Sequence, residues 1–327
     1  MTRYRILFTT FRHCVFSPLS LFLHAVFQSE HSTKVNVLHY FSSLLHHLSA
    51  LKVIVFALCA LSSSDVCSQI IAKGEDSKIT SDSIRKVFDN EPYFGLYKDN
   101  YFIFGTSVGP EPTKQNSNVK FQISVAQRLT KSTLPLGTYL YLFYTQKAFW
   151  NVLENSMPFH DLNFNPGIGL AKPLFAEGTY IGKAIFQIEH ESNGRDSIQS
   201  RSWNRISFGA NIIIDRNMMV HGKYWIPLVD GENNKNITKY VGILQGGINY
   251  ISDNGRFFGS LTLVKRAKWK PSFNTTVEFG YKISRNDNQY LFVQYFNGYG
   301  EGLLDYRTFR SELRVGMVIR PKYFSDF

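Results

Sequence analysis

Residues 181–192 read IGKAIFQIEHES and residues 202–214 read SWNRISFGANIII, with the polar stretch NGRDSIQSR between them. Side chains two apart share one face of a β-strand. In the first stretch one face carries Gly182, Ala184, Phe186 and Ile188 and ends in His190 and Ser192. The other face holds Lys183, Ile185, Gln187, Glu189 and Glu191. In the second stretch Asn204 opens the row Ile206, Phe208, Ala210, Ile212 and Ile214, opposite Trp203, Arg205, Ser207 and Asn211. A base, a hydroxyl and an amide therefore sit on the apolar faces and the charges on the opposite ones. For an enzyme dissolved in water this is inverted. It makes sense where the apolar rows face a bilayer and the substrate is the lipid.

The same alternation recurs in about twelve segments of roughly ten residues separated by turn signals, near 101–108, 119–129, 138–149, 161–172, 181–192, 202–214, 217–227, 237–251, 256–265, 274–284, 288–297 and 308–319. In the last, Phe309, Ser311, Leu313, Val315, Met317 and Ile319 oppose Arg310, Glu312, Arg314 and Arg320. The 327 residues include 28 Phe and 18 Tyr but only 19% charged residues, and the chain ends in Phe327 after an alternating strand. No uninterrupted apolar run reaches the roughly 18 to 20 residues of a membrane-spanning helix. These features predict an all-β fold: a transmembrane antiparallel β-barrel of about 12 strands in a Gram-negative outer membrane, its charged faces lining the interior or the rims. A soluble sandwich of many short strands fits the alternation equally well. The formal charge of +11 is scattered along strands and turns, with no basic tract or zinc-finger spacing, so nucleic acid is not an expected partner. All three cysteines, Cys14, Cys59 and Cys67, lie in the first fifth of the chain, which excludes cysteine catalysis in its body.

Lys52, the apolar run Val53–Leu61 and Ser62-Ser63-Ser64 have the parts of a secretory signal peptide. Four regions are expected: residues 1–50 as an extension of uncertain status, 51–70 as the signal peptide, 71–100 as a polar periplasmic lead-in and 101–327 as the barrel. A signal peptide rarely follows some 50 residues, which suggests a start at Leu51 read through an alternative codon. The other reading is a genuine extension with a first anchor around Phe16 to Phe27.

By backbone rise His190 and Ser192 lie roughly 7 Å apart, a gap that side chains leaning together can close. On the acyl-transfer template Ser192 attacks an ester carbonyl, His190 takes the proton and Asn204 fixes the imidazole tautomer. Asparagine cannot stabilise an imidazolium by charge, so a backbone N–H at Gly194 and a cation near the loop are expected to help the oxyanion. The plainer reading makes His190 and Ser192 ordinary rim residues.

The stretch His190-Glu191-Ser192-Asn193-Gly194-Arg195, followed by Ser200-Arg201-Ser202-Trp203-Asn204-Arg205, closely resembles the signature of the outer membrane phospholipase A family. Tyr224-Trp225-Ile226-Pro227, Ile237-Thr238-Lys239-Tyr240, Gly298-Tyr299-Gly300-Glu301, Leu304-Asp305-Tyr306, Tyr144-Thr145-Gln146-Lys147 and Ser156-Met157-Pro158-Phe159 extend the likeness from about residue 90 to the end. The resemblance implies a twelve-stranded barrel with a Ser–His–Asn triad on its outer face. It also implies A1, A2 and lysophospholipase activity on phospholipid, Ca2+ as cofactor and activation as a homodimer. Carried over, Ser192 is the nucleophile, His190 the base, Asn204 the orienting amide and Gly194 the oxyanion N–H. The calcium ligands would be the Arg195 carbonyl, the Ser200 hydroxyl and Ser156 of the partner subunit. Such an oxygen-only set suits a hard, partly hydrated cation. Gln146, on a lipid-facing row with Leu140, Leu142, Tyr144 and Ala148, would be buried in the dimer interface. Ser197 and Asn236 stand where the family commonly carries acidic residues, which departs from its second, monomer-state calcium site. The competing classes are a catalytically silent barrel acting as channel or adhesin, and an acyltransferase using similar residues.

Overall fold

The computed structural model describes residues 93–130, 134–229, 232–267, 270–284 and 288–321, all inside the unit Ile70–Phe327. The extension, the signal peptide, the three cysteines, the lead-in up to residue 92 and Phe327 lie outside the described residues. In chain order the strands are β1 (Phe94–Leu96), β2 (Asn100–Ser107), β3 (Ser117–Arg128), β4 (Tyr139–Trp150), β5 (Phe159–Ala176), β6 (Thr179–Ser192) and β7 (Ser202–Ile213). They continue with β8 (Met218–Leu228), β9 (Leu244–Ile251), β10 (Phe257–Lys265), β11 (Phe273–Lys282), β12 (Gln289–Gly298) and β13 (Arg310–Ile319).

From β2 to β13 each strand pairs antiparallel with the next, and β13 pairs back onto β2. Twelve strands thus close into a barrel with no free edge. β1 uses the same edge of β3 as β2 does, with Phe94 opposite Gln127 and Tyr101 opposite Gln122. The two are one strand interrupted at Tyr97–Asp99, so pairing starts inside the stretch read as lead-in. At the break Tyr97 turns inward, packs on Phe143 at 4.5 Å between ring centroids and accepts a hydrogen bond from Gln187.

Closure decides between the two architectures. Phe102, Ile123, Ile188, Phe279, Leu291, Val315 and Met317 are exposed on the outer wall, while Lys120, Lys183, Gln187, Glu189, Glu312 and Arg314 are buried inside. A sandwich would bury the apolar rows in a shared core. Here they form a belt suited only to lipid, and the backbone donors are satisfied between strands, as a membrane requires.

The interior is a charge network, as expected for a small barrel. Glu301, from the loop after β12, receives Lys120 at 3.1 Å and Arg314 at 2.7 Å. Across the lumen Arg205 grips Glu189 at 2.9 Å and Glu191 at 2.7 Å, and Lys223 meets Glu189 at 2.6 Å.

The two barrel ends differ. β5 and β6 are joined at one end by Glu177 and Gly178 alone, with φ of 50° and 78°, the two positive values that a tight hairpin turn of matching twist needs. The other end carries the connections 151–158, 193–201, 229–243 and 299–309, which by length mark the outward-facing end. The segment 237–251 is not one strand as expected. Thr238–Val241 forms a short helix, α1, and β9 starts only at Leu244. Ile237 is fully buried in a cluster with Trp203, Trp225, Leu303 and Tyr306. That docking takes the segment out of the wall, and Gly242 at φ 94° ends the helix.

Candidate active site

β6 and β7 place the site. Their register sets His190 opposite Asn204 and Ser192 opposite Ser202. The His190 ring nitrogen Nδ1 lies 2.8 Å from Asn204 Oδ1. With the amide oxygen accepting, Nδ1 carries the proton and Nε2 keeps its lone pair, the tautomer able to take a proton from a hydroxyl. Ser192 sits two residues along the same outward face, half-buried like His190. Among the described residues no hydrogen bond closes the step from His190 to Ser192 Oγ, a step that often tightens only with substrate bound. The structure therefore joins two members of the expected triad directly and brings the third to the same face.

The loop 193–201 is held by Asn193, which sequence reasoning assigned no role. Its Oδ1 accepts from Arg201 N at 3.0 Å and Arg195 N at 3.4 Å, and its Nδ2 donates to Gln199 O at 2.9 Å. An asparagine opening an Asn-Gly turn was the available signal. Gly194 follows at φ 64°, a backbone conformation that favours glycine, and a Cβ there would sit 3.0 Å from the Phe164 ring. Arg195 donates from Nη2 to the His160 carbonyl at 2.7 Å. His160 in turn meets Asp305 at 2.7 Å, and Arg310 reaches the same carboxylate at 2.8 Å. The hydrogen bond to His160, with Arg310 beside it, holds the Asp305 carboxyl down at about 2. The stability that this lowered Asp305 carboxyl contributes is present above the ordinary carboxylate range and is lost as pH falls through about 2.

Gln146 (β4), Phe164 (β5) and Ser192 (β6) form one transverse row on the outer wall, Gln146 pairing Phe164 and Phe164 pairing Ser192. Gln146 and Ser192 are thus two strand spacings apart, about 10 Å. Gln146 Oε1 accepts from Tyr144 OH at 3.0 Å. Ser156 is exposed on the 151–158 loop at φ 64°.

Residues 94–319 match the family model described as Phospholipase A1. The chain belongs to the phospholipase A1 family. Phospholipase A1 of Proteus vulgaris is 33% identical over 208 residues, covering 62% of this chain and 68% of that protein. The fold agrees with the Salmonella typhi outer membrane phospholipase, solved as a dimer with bound calcium, at a TM-score of 0.63 and 27% identity over 73% of this chain and 97% of that one. It agrees equally with an Escherichia coli outer membrane phospholipase A carrying an asparagine-to-alanine active-site mutation, at a TM-score of 0.62, 27% identity and the same coverage.

The Salmonella typhi protein was solved with calcium bound, and the loop 193–201 of this chain holds candidate donors to such a cation. Among the described residues no cluster of three or more His, Cys, Asp or Glu could hold a metal. The Arg195 carbonyl and the Ser200 hydroxyl, however, make no hydrogen bond to other described residues, while Asn193 ties the loop through Arg195 N, Arg201 N and Gln199 O. Spare oxygen donors on a fixed loop are what a hard cation requires. The Asn236 position is different. Its Oδ1 accepts from Tyr306 OH at 2.7 Å and Arg307 Nη2 at 3.2 Å, so a guanidinium occupies the neighbourhood of that amide.

Proposed function

We propose that this chain is a calcium-dependent outer-membrane phospholipase that hydrolyses phospholipid acyl esters at the outer face of its barrel and is activated by dimerisation. The observation that carries the reading is the 2.8 Å His190–Asn204 bond on a wall facing lipid, with Ser192 on the same row. Ser192 Oγ attacks the acyl carbonyl carbon while His190 Nε2 takes its proton. The tetrahedral intermediate collapses, the ester C–O bond breaks, and His190 returns the proton to the departing lysophospholipid oxygen. Water then attacks the acyl-serine, with His190 again as base, and the fatty acid leaves. Gly194, next but one to the nucleophile and conformationally free, offers a backbone N–H to the oxyanion. Arg195 and Ser200, with Ser156 of the partner subunit, would hold calcium, which when bound supplies positive charge near that oxyanion. An amide such as Gln146 is costly against lipid, and pairing with a second barrel removes that cost.

Fatty-acid release from phospholipid in mixed micelles, with calcium or with chelator, tests the proposal when run beside chemical cross-linking. Calcium is expected to switch on hydrolysis and cross-linked dimer together, and Gln146→Ala is expected to weaken both. Full hydrolysis in chelator by a monomer would overturn the proposed activation. No hydrolysis by a folded, calcium-treated dimer would favour the silent barrel.

A further inference from the structure

The backbone of His190 is held from the far side of the barrel wall. Across β6 and β7 the Asn193 N–H donates to Arg201 O at 3.0 Å, and backbone groups alternate sides along a strand. His190, three residues earlier, therefore directs its own N–H and C=O toward β5. Phe164 pairs with Ser192 and Gly167 with Glu189, which sets Pro166 opposite His190. Proline has no N–H to give, so the ladder bond to the His190 carbonyl cannot form. Asn165 replaces it, its Nδ2 donating to His190 O at 2.8 Å. Its Oδ1 accepts from Arg205 Nη2 at 3.3 Å, and the same guanidinium binds Glu189 and Glu191, the residues on either side of His190.

We propose that Asn165 is a positioning residue, fixing the backbone of the His190 base from the luminal side where Pro166 cannot. The proposal rests on the reading of His190 as the base. Without the amide, a carbonyl in the wall loses its donor, the strand rotates to find another, and the imidazole moves relative to both Asn204 and Ser192. The lumen and the lipid-facing site are thereby linked through a single peptide group.

The test uses detergent-folded protein, phospholipid micelles and calcium, with the barrel fold of each variant checked by its electrophoretic shift on heating. Asn165→Ala is expected to lower kcat about tenfold with KM and calcium dependence unchanged. Adding Pro166→Ala returns a backbone N–H to the ladder and is expected to recover most of the loss, which a merely structural defect at residue 165 would not allow. Asn165→Asp, the same shape without the donor, is expected to fall as Asn165→Ala does and replaces it should that variant not fold. Parental kcat in both single variants, or a double variant no better than Asn165→Ala, would overturn the proposal. Ser192→Ala is run alongside. Full hydrolysis there overturns the triad and this proposal together, whereas loss there with parental Asn165 variants overturns this proposal alone.

Discussion

Ser192→Ala is expected to lower phospholipid hydrolysis by at least about 10⁴-fold while the barrel still folds and dimerises with calcium. The size follows from the chemistry: without the hydroxyl no acyl-enzyme forms, and the site keeps only its ability to bind lipid. The fold should survive because Ser192 is half-buried at the end of β6 and its side chain makes no hydrogen bond to other described residues. His190→Ala is expected to cost nearly as much, and the double variant little more than either alone, because the two groups act as one unit. Additive losses in a fatty-acid release assay would show that they act independently.

The second large effect concerns stability. Glu301→Ala is expected to destabilise the folded barrel by about 3–5 kcal/mol, read from denaturant unfolding in detergent. Glu301 is almost wholly inaccessible, and so are its partners Lys120 and Arg314. Removing the carboxylate leaves two cations facing each other inside the barrel. Gln294 still accepts from Lys120 at 2.7 Å, and Glu312 still lies 3.6 Å from Arg314, but neither replaces a shared ionic partner. Glu301 also belongs to the 299–309 connection, which is tied to β5 where Leu303 N donates to Asn163 at 3.2 Å and Leu304 N to Asp161 at 2.9 Å. Glu301→Gln keeps the hydrogen-bonding shape and is expected to lose less. A stability change within a few tenths of a kcal/mol for the alanine variant would mean that water solvates the cations there.

The barrel was legible in the sequence because a lipid-facing wall leaves a period of two that nothing else disturbs. Rows such as Leu313, Val315 and Met317 against Glu312 and Arg314 separate the two faces, and the closure of β13 onto β2 puts the apolar row outside. Ile237-Thr238-Lys239-Tyr240 misleads. It reads as the start of a strand running to residue 251, and the docking of Ile237 against Trp203, Trp225 and Tyr306 takes it out of the wall. At the site, His190, Ser192 and Asn204 stood out because each interrupts an apolar row. Asn165 could not stand out. It lies among polar inward residues, and its contact with His190 depends on the β5–β6 register that brings Pro166 opposite the base. Pro166 in mid-strand was the visible hint, since proline within a paired strand leaves a carbonyl without its donor. The Arg205 fork was likewise hidden: one strand's sequence shows a charge facing inward, not which two carboxylates it reaches.

The most direct measurement is covalent labelling of the folded protein by a long-chain fluorophosphonate in detergent with calcium, followed by peptide mapping. Modification is expected at Ser192 alone, lost in chelator and in His190→Ala. Modification at another serine, or none in a preparation that hydrolyses phospholipid, would contradict a Ser192 nucleophile on the lipid-facing wall.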